Sequence, residues 1–160
     1  MSKAGRIIAL VLTVLMLTGA TGANAEQVQA YIICQPHDLV NVRTGPSRKA
    51  NLLGSLETGY TVWVYGEKKN GFLHCENENL EQGDCWIYAG YIVYEEPVWM
   101  EGREAVVVSN ARVAARKCKE GKVRKWLYTE DTVKVWWWTS EWCVTNKGFV
   151  KTQFLELDGE

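Results

Sequence analysis

The chain has 160 residues, with 18 Lys and Arg against 19 Asp and Glu and a formal net charge of -1. Apolar residues make up 47% and aromatic residues 11%, with eight Trp, which argues against a disordered or low-complexity fibrous protein. The near-neutral charge argues against a nucleic-acid binder, since such proteins are usually basic. The length allows one ordinary domain or two small ones.

The first 25 residues predict a secretory signal peptide. Lys3 and Arg6 precede an apolar run at 7–17, which has the length of a signal-peptide core and is too short to span a bilayer. Ala-Asn-Ala at 23–25 has the form of a cleavage site. The alternative is an uncleaved membrane anchor. We expect an exported protein that begins near Glu26, secreted or periplasmic and associated with the cell wall, with no stable membrane insertion after cleavage.

The rest of the chain contains an internal repeat. Residues 41–64 align with 112–135 without a gap, at a constant shift of 71 positions. Further along, Trp86 pairs with Phe149 at a shift of 63, because the segment 75–85 is longer than its counterpart. The sequence therefore predicts two copies of one unit, the first with an enlarged hairpin.

Each copy is predicted to be all-β. Apolar residues alternate with the period of a strand at 61–65, Thr-Val-Trp-Val-Tyr, and again at 132–136. Turn signals such as Gly-Pro-Ser at 45–47 recur at the spacing of short strands. The predicted organisation is a signal peptide at 1–25, a first domain at 26–97, a linker at 98–103 and a second, divergent domain at 104–160.

The first copy resembles the bacterial SH3-like (SH3b) domain family. The opening signature is matched by LVNVRTGPS at 39–47, and a Gly-x-Leu-x-x-Gly stretch follows at 54–59. Thr-Val-x-Val at 61–64, Gly-Phe at 71–72 and a closing Cys-Trp-Ile at 85–87 come in the family's order. The second copy matches more weakly over 104–157, because Arg-Lys-Cys at 116–118 replaces the Gly-Pro-Ser turn.

The resemblance implies two small SH3-like β-barrels in tandem, used as binding modules. Relatives often sit beside cell-wall hydrolases and hold the enzyme against peptidoglycan or its peptide cross-bridges. The same resemblance places the ligand groove beside the loop at 41–47. Whether the second copy binds what the first one binds stays open.

Five cysteines remain after export, and an oxidising compartment favours disulfides. Cys75 and Cys85 bracket the enlarged hairpin and are candidates for one bridge, and Cys118 and Cys143 for another. Cys34 would then be the odd thiol, facing solvent and able to link two chains in a dimer. A zinc site is the alternative, but the chain has no C-x-x-C and only two His.

No catalytic set is found, and we expect no enzyme, cofactor or metal. Motifs such as H-E-x-x-H, G-x-S-x-G and a phosphate-binding Gly-rich loop are missing. A Cys nucleophile with a His base is the alternative, but adjacent His74 and Cys75 would point to opposite faces of a strand. The acidic residues near the enlarged hairpin are interpreted as a solvated loop rather than an acid-base pair or a calcium site.

Aromatic side chains are the candidate ligand contacts, since they bury a large area at low entropic cost. Strand alternation turns some of them outward, such as Trp63 and Tyr65, while a place in the core is the favoured alternative for Phe72, Trp86 and Tyr91. The candidates in the first copy are Asn41, Arg43, Trp63, Tyr65, Phe72, Trp86, Tyr88 and Tyr91.

The second copy carries three consecutive Trp at 136–138. Alternation would turn Trp136 and Trp138 outward and Trp137 inward, so the outward pair would form either a binding face or the seam between the copies. A basic cluster surrounds this region and could meet anionic wall polymers or be a solvated face. Its members are Arg112, Arg116, Lys117, Lys119, Lys122, Arg124 and Lys125.

The leading hypothesis is a secreted, non-enzymatic tandem SH3b protein that binds bacterial cell-wall material, most of all peptidoglycan or its wall peptides. The alternative is a protein-interaction module that docks an exported protein partner and has no affinity for the wall. An exported enzyme with an atypical site is a third hypothesis.

Overall fold

The computed structural model describes residues 26–78, 80 and 83–159. The predicted signal peptide at 1–25 lies outside the described residues. Within the described part, all regular structure is β-strand or single 3₁₀ turn, and no helix has the length and apolarity needed to cross a membrane. The prediction of an all-β fold is therefore confirmed.

The strands form two sheets of seven. The first is made of β1 (Val28–Ile32), β2 (Val40–Arg43), β3 (Leu52–Leu56), β4 (Thr61–Lys69), β5 (Phe72–Glu76), β6 (Asp84–Tyr88) and β7 (Ile92–Val93). The second is made of β8 (Val98–Val107), β9 (Val113–Arg116), β10 (Val123–Leu127), β11 (Thr132–Trp138), β12 (Trp142–Thr145), β13 (Gly148–Lys151) and β14 (Leu155–Leu157).

Both sheets have the same strand order. The first runs β3-β2-β6-β5-β4-β1-β7 and the second β10-β9-β13-β12-β11-β8-β14, with every pairing antiparallel. Each also has a 3₁₀ turn before its last strand, Ala89–Tyr91 in one and Thr152–Phe154 in the other. The chain therefore contains two units of one topology, as the repeat predicts.

Alternation of apolar side chains builds each core. Val62 and Val64 are buried on β4 while their neighbours are partly exposed, and Val133 and Val135 repeat this on β11. Buried residues from all seven strands of the first sheet or the adjoining turn share one cluster, and the second unit has its own. Since neighbouring strands are about 4.8 Å apart, each sheet must curl to bring both edges to one core.

The gapless alignment of the two copies is wrong by two residues at the first hairpin. Val40 pairs with Leu56 across β2 and β3, whereas Val113 pairs with Leu127 across β9 and β10. The structural counterpart of Val40 is therefore Val113, and the hairpin in the second unit is two residues shorter. Arg43 corresponds to Arg116, and Cys118 corresponds to Ser47, since the bond from the Gly121 amide to the Cys118 carbonyl matches the bond from Ala50 to Ser47.

Residues 98–103, predicted as a linker, are instead the first part of β8. This ten-residue strand pairs with β11 from Val98 opposite Trp138 to Val106 opposite Thr132. Glu101 (φ 53°) and Gly102 (φ 76°) interrupt it with left-handed backbone. A Cβ on Gly102 would lie 2.7 Å from the Trp136 ring, so the glycine lets this ring pack on the strand.

A third buried cluster joins the two units, and we call it the seam. The first unit contributes Ile33 and Val93, and the second contributes Cys118, Trp142, Val144 and Phe149. Hydrogen bonds cross at its borders: the Gln35 side chain donates to the Thr145 carbonyl at 3.1 Å, and the Lys119 amide donates to the Gly90 carbonyl at 3.1 Å.

The three consecutive tryptophans do not alternate as predicted. The register of β11 shifts between Val135 and Trp137 against both neighbouring strands, which marks a bulge. Trp138 consequently packs against the core of the second unit, whereas Trp136 and Trp137 pack against the seam. The prediction of Trp138 outward and Trp137 in the core is wrong, and the seam interpretation of Trp136 is correct.

Candidate functional site

A groove of about 690 Å³ lies where the first unit meets a hairpin of the second. Its volume is in the range of small-ligand sites, about 300–1,000 Å³. Half of the ten predicted ligand residues line it: Asn41, Arg43, Phe72, Tyr88 and Tyr91. The structure thus brings together residues that are up to fifty positions apart in the chain.

Three aromatic rings form the floor of the groove. Phe72 meets Tyr88 edge to face, with ring centroids 5.5 Å apart, and Tyr88 meets Tyr91 in the same way at 6.2 Å. Gly71 (φ 82°) precedes Phe72, and a Cβ there would lie 2.9 Å from the Tyr88 ring. A glycine is needed at this place for both its backbone conformation and the position of the ring.

Strand β2 and the loop after it form the first wall. Val40 and Val42 face the core, so the residues between and after them, Asn41 and Arg43, face outward as predicted. The Arg43 guanidinium donates to the Ala50 carbonyl oxygen at 2.9 Å. This bond braces the loop that carries Arg48, whose guanidinium lies 5.8 Å from the centre of the Tyr88 ring.

The second wall is the hairpin at 117–122, which belongs to the second unit. The Lys117 amide donates to the Lys122 carbonyl at 3.0 Å, and the Gly121 amide to the Cys118 carbonyl at 2.9 Å. This hairpin packs on Gly90, where an added Cβ would lie 2.7 Å from the Cys118 sulfur. The close approach requires glycine, and it fixes the hairpin beside the aromatic floor.

Positive charge predominates around the groove. Of the residues that the structure describes, four cationic ones line it, Arg43, Arg48, Lys117 and Lys122, against one carboxylate, that of Glu120. That carboxylate already has a partner, because Lys68 of the first unit lies 2.7 Å from it. The rim is therefore basic, and its charges come from both units.

Tyr65 and Trp86 lie elsewhere, on either side of His74. The His74 ring stacks on both, with centroids 4.8 Å apart in each case. Its Nε2 also contacts the Asp84 carboxylate. The Tyr65 hydroxyl donates to Glu76 at 2.5 Å. Each of these two predicted ligand residues stacks one face of its ring on His74, and neither lines the groove.

The remaining predicted residues are also away from the groove. Trp63 lines a shallow, open depression together with Thr58 and Tyr60. Trp136 stacks on Trp99 at 6.0 Å and packs against the seam, and Trp138 packs against the core of the second unit. The large side chains of Trp136 and Trp138 thus have partners within the protein.

The cysteines do not form the disulfides predicted from the sequence. All five lie within the described residues, and all are free and buried. Cys75 is opposite Cys85 across β5 and β6, but the predicted bridge is not present. Cys118 is in the seam and Cys143 in the core of the second unit, so the second predicted bridge is also not present.

Cys34 is only 2% exposed, so the prediction that it faces solvent is wrong. Its amide donates to the Thr58 hydroxyl at 2.8 Å, and its thiol contacts the Asp38 carbonyl at 3.2 Å. This burial disfavours a dimer linked through Cys34. No sequence pattern indicated this burial, because Cys34 follows β1 outside any alternating run.

Burial also determines the chemistry of the thiols. It raises the pKa of Cys85 and of Cys143 to about 12 each, and it is the largest cause of the raised pKa of Cys34, Cys75 and Cys118. A thiol that stays protonated is a poor nucleophile and a poor metal ligand. Among the described residues, no group of three or more His, Cys, Asp or Glu is arranged to hold a metal ion.

Two features of the groove were missed by sequence reasoning. Arg48 was not singled out, because a lone arginine in a turn carries no signal. Lys117 and Lys122 were counted in a basic cluster but could not be placed against the first unit. The replacement of Gly-Pro-Ser in the second copy was the available signal, since it marks the hairpin that packs on Gly90.

No protein-family model and no curated protein matches the chain. Among solved structures, it is similar to NlpC1 from Trichomonas vaginalis, at 17% identity over 88% of this chain and 50% of that one, with a TM-score of 0.40. It is also similar to NlpC2 from Trichomonas vaginalis, at 15% identity over 84% and 49%, with a TM-score of 0.39. The chain spans about half the length of these two proteins, and the likeness is too low to support a function.

Proposed function

We propose that this protein, with its two SH3b-related units, is an exported, non-enzymatic binding protein that recognises bacterial cell-wall material, namely peptidoglycan or its peptide cross-bridges. The observation that carries the proposal is the groove. Five residues selected from the sequence as ligand contacts line one concave site, beside the loop where the resemblance implies binding.

The composition of the groove supports binding of a sugar or peptide. Its floor consists of the rings of Phe72, Tyr88 and Tyr91, which offer faces and edges for apolar contact. Its rim consists of side chains that donate hydrogen bonds, including Asn41 and Arg48. An apolar floor with a few polar groups at the rim is the usual composition of a ligand site.

The state of the thiols supports a binding role rather than catalysis. A cysteine nucleophile needs an accessible thiolate beside a base. Here burial raises the pKa of every cysteine, and the His74 ring is stacked between Tyr65 and Trp86.

The proposal assigns binding to the first unit. The counterparts of Phe72 and Tyr88 in the second unit are Trp142 and Lys151, as the strand pairings show. Trp142 is buried in the seam, and the Lys151 ammonium lies 5.7 Å from the centre of its ring. The second unit therefore contributes a wall to the groove of the first.

The test is retention of the secreted form on purified insoluble peptidoglycan, with albumin as a control for non-specific adsorption. We expect wild type to be retained, and Tyr88→Ala to lose most of its retention while keeping the far-ultraviolet circular dichroism of a folded protein. Tyr128→Ala is the matched control, because Tyr128 is 59% exposed in the second unit.

Equal retention of both variants would contradict the groove as the site. If wild type itself is not retained, the wall function is wrong. The alternative, a module that docks an exported protein partner, would then be the function to pursue.

A further inference from the structure

The charges around the groove come from two units that approach it from opposite sides. Arg48 is on the loop between β2 and β3, whereas Lys117 and Lys122 are on the hairpin between β9 and β10. The hairpin cannot move away freely, because its Cys118 packs on Gly90 and its Lys119 amide bonds to the Gly90 carbonyl. The cations are therefore held on both sides of one aromatic floor.

Among the described residues, protein groups leave most of this positive charge uncompensated. Glu120, the carboxylate of the groove, pairs with Lys68, which lies outside the groove lining. Arg43 donates to a backbone carbonyl, which carries no net charge. Arg48, Lys117 and Lys122 have exposed side chains, so an anionic ligand could reach them at little desolvation cost.

We propose that the groove binds a peptide segment that carries free carboxylates, and that these pair with Arg48 on one side and with Lys117 and Lys122 on the other. The inference rests on the proposed function and deepens it, since it names the chemical class of the ligand. It also makes the second unit a part of the binding site.

An acidic peptide fits the groove better than a phosphate polymer does. Phe72, Tyr88 and Tyr91 give the floor an apolar surface, which a peptide can cover with its side chains and backbone. A sugar-phosphate polymer offers little apolar area to bury there. Carboxylates spaced along a peptide can meet the cations at both sides while the chain crosses the rings.

The experiment is a nuclear magnetic resonance titration with two soluble probes. One is the peptide Ala-Glu-Ala-Glu with a free carboxyl terminus, and the other is Ala-Gln-Ala-Gln with an amidated terminus. The variants are the double substitution Lys117→Gln with Lys122→Gln, and the single substitution Lys134→Gln as a matched control. Lys134 is an exposed lysine of β11 outside the groove lining.

We expect wild type to bind the acidic probe about fivefold more tightly than the neutral one, since exposed ion pairs contribute up to about 1 kcal/mol each and more than one is formed. The double variant should lose this preference, and Lys134→Gln should keep it. Raising the salt concentration should weaken binding of the acidic probe, because exposed charges are screened.

Equal affinity for the two probes, no binding of the acidic probe, or an unchanged preference in the double variant would overturn the inference. Retention on peptidoglycan separates this failure from that of the proposed function. If wild type is retained on the wall but does not prefer the acidic probe, the proposed function stands and the inference is wrong. If wild type prefers the acidic probe but is not retained on the wall, the inference stands and the wall function is wrong.

Discussion

The two units share one strand order but use the same face differently. On β5 and β6 of the first unit, His74 and Trp86 are partly exposed, and His74 contacts the Asp84 carboxylate. Their counterparts on β12 and β13 are Val144 and Phe149, which are 0% exposed in the seam. A surface open to solvent in one copy is buried against its neighbour in the other.

The seam is head-to-tail, because one edge of the first unit packs on a different face of the second. Such an interface can in principle add further copies without closing. Each unit also has one face that is not in the seam, and these two free faces differ in composition from the two in the seam. Glu156 stands where the first unit has Val93, and His74 stands where the second has Val144, so at each of these two positions a polar residue replaces the apolar residue of the seam. In a tandem repeat, one copy can therefore have an apolar residue where the other has a polar one. The apolar residue marks the copy whose face is buried against its neighbour.

The largest effect is expected from truncating Phe149, compared with truncation of its counterpart Trp86. Phe149→Ala should lower the free energy of unfolding by about 3–5 kcal/mol, because it leaves a cavity in the seam. Trp86→Ala should cost about 1–2 kcal/mol, since its ring is partly exposed and loses mainly its stacking on His74. Urea denaturation of both variants measures the difference, and equal losses would show that the seam is not a tightly packed core.

A second pair of variants tests the contact of the 117–122 hairpin with the first unit. Gly90→Ala places a Cβ 2.7 Å from the Cys118 sulfur and should cost about 1–3 kcal/mol by overpacking. Gly45→Ala is the control, because Gly45 lies in the matching hairpin of the first unit and a Cβ there meets Ala50 at an ordinary 3.6 Å. Denaturation midpoints report both, and a neutral Gly90→Ala would mean that the hairpin is loosely held.

The buried thiols predict a loss of stability at alkaline pH. Burial raises the pKa of Cys85 and Cys143 from 9.0 to about 12 in the folded state. Because the folded state holds the proton more tightly, this stability is fully present below pH 9 and is lost as the pH rises toward 12. The slope per thiol is at most about 1.4 kcal/mol per pH unit. Urea denaturation at pH 8, 9 and 10 measures it, with Cys85→Ala as a control that should flatten the decline.

The smallest effect is expected from the ion pair that links the units. Lys68 and Glu120 are 2.7 Å apart, with side chains 46% and 39% exposed. Glu120→Gln should change the free energy of unfolding by at most about 1 kcal/mol, because solvent screens the pair. A double-mutant cycle with Lys68→Met gives the coupling energy. A coupling above about 2 kcal/mol would mean that charge, rather than apolar packing, holds the seam.

Most of the fold could be predicted from the sequence, because strand alternation and the repeat are local patterns. Val62 with Val64, and Val133 with Val135, mark the core strands directly. The wrong predictions concern places where strand alternation or the constant spacing of the repeat is interrupted. A bulge before Trp137 changes which tryptophans face the core, and the two missing residues of the shorter hairpin are hidden by a chance match of Val42 with Val113.

The site was predictable in part for the same reason. Asn41 and Arg43 follow from alternation on β2, and the resemblance directs attention to the nearby aromatics. The wall supplied by Lys117 and Lys122 could not be predicted, since it depends on how two units pack. Nor could the stacking of Tyr65 and Trp86 on His74, because it joins side chains from three strands.

The central claim is that one groove, on the first unit and completed by the second, binds the ligand. The most direct measurement is mapping of amide chemical-shift changes on addition of a soluble peptidoglycan fragment. We expect the changes to concentrate at 39–48, 88–91 and 117–122. Changes of similar size at the counterpart positions Ala114 and Lys151, or no changes at the groove, would contradict it.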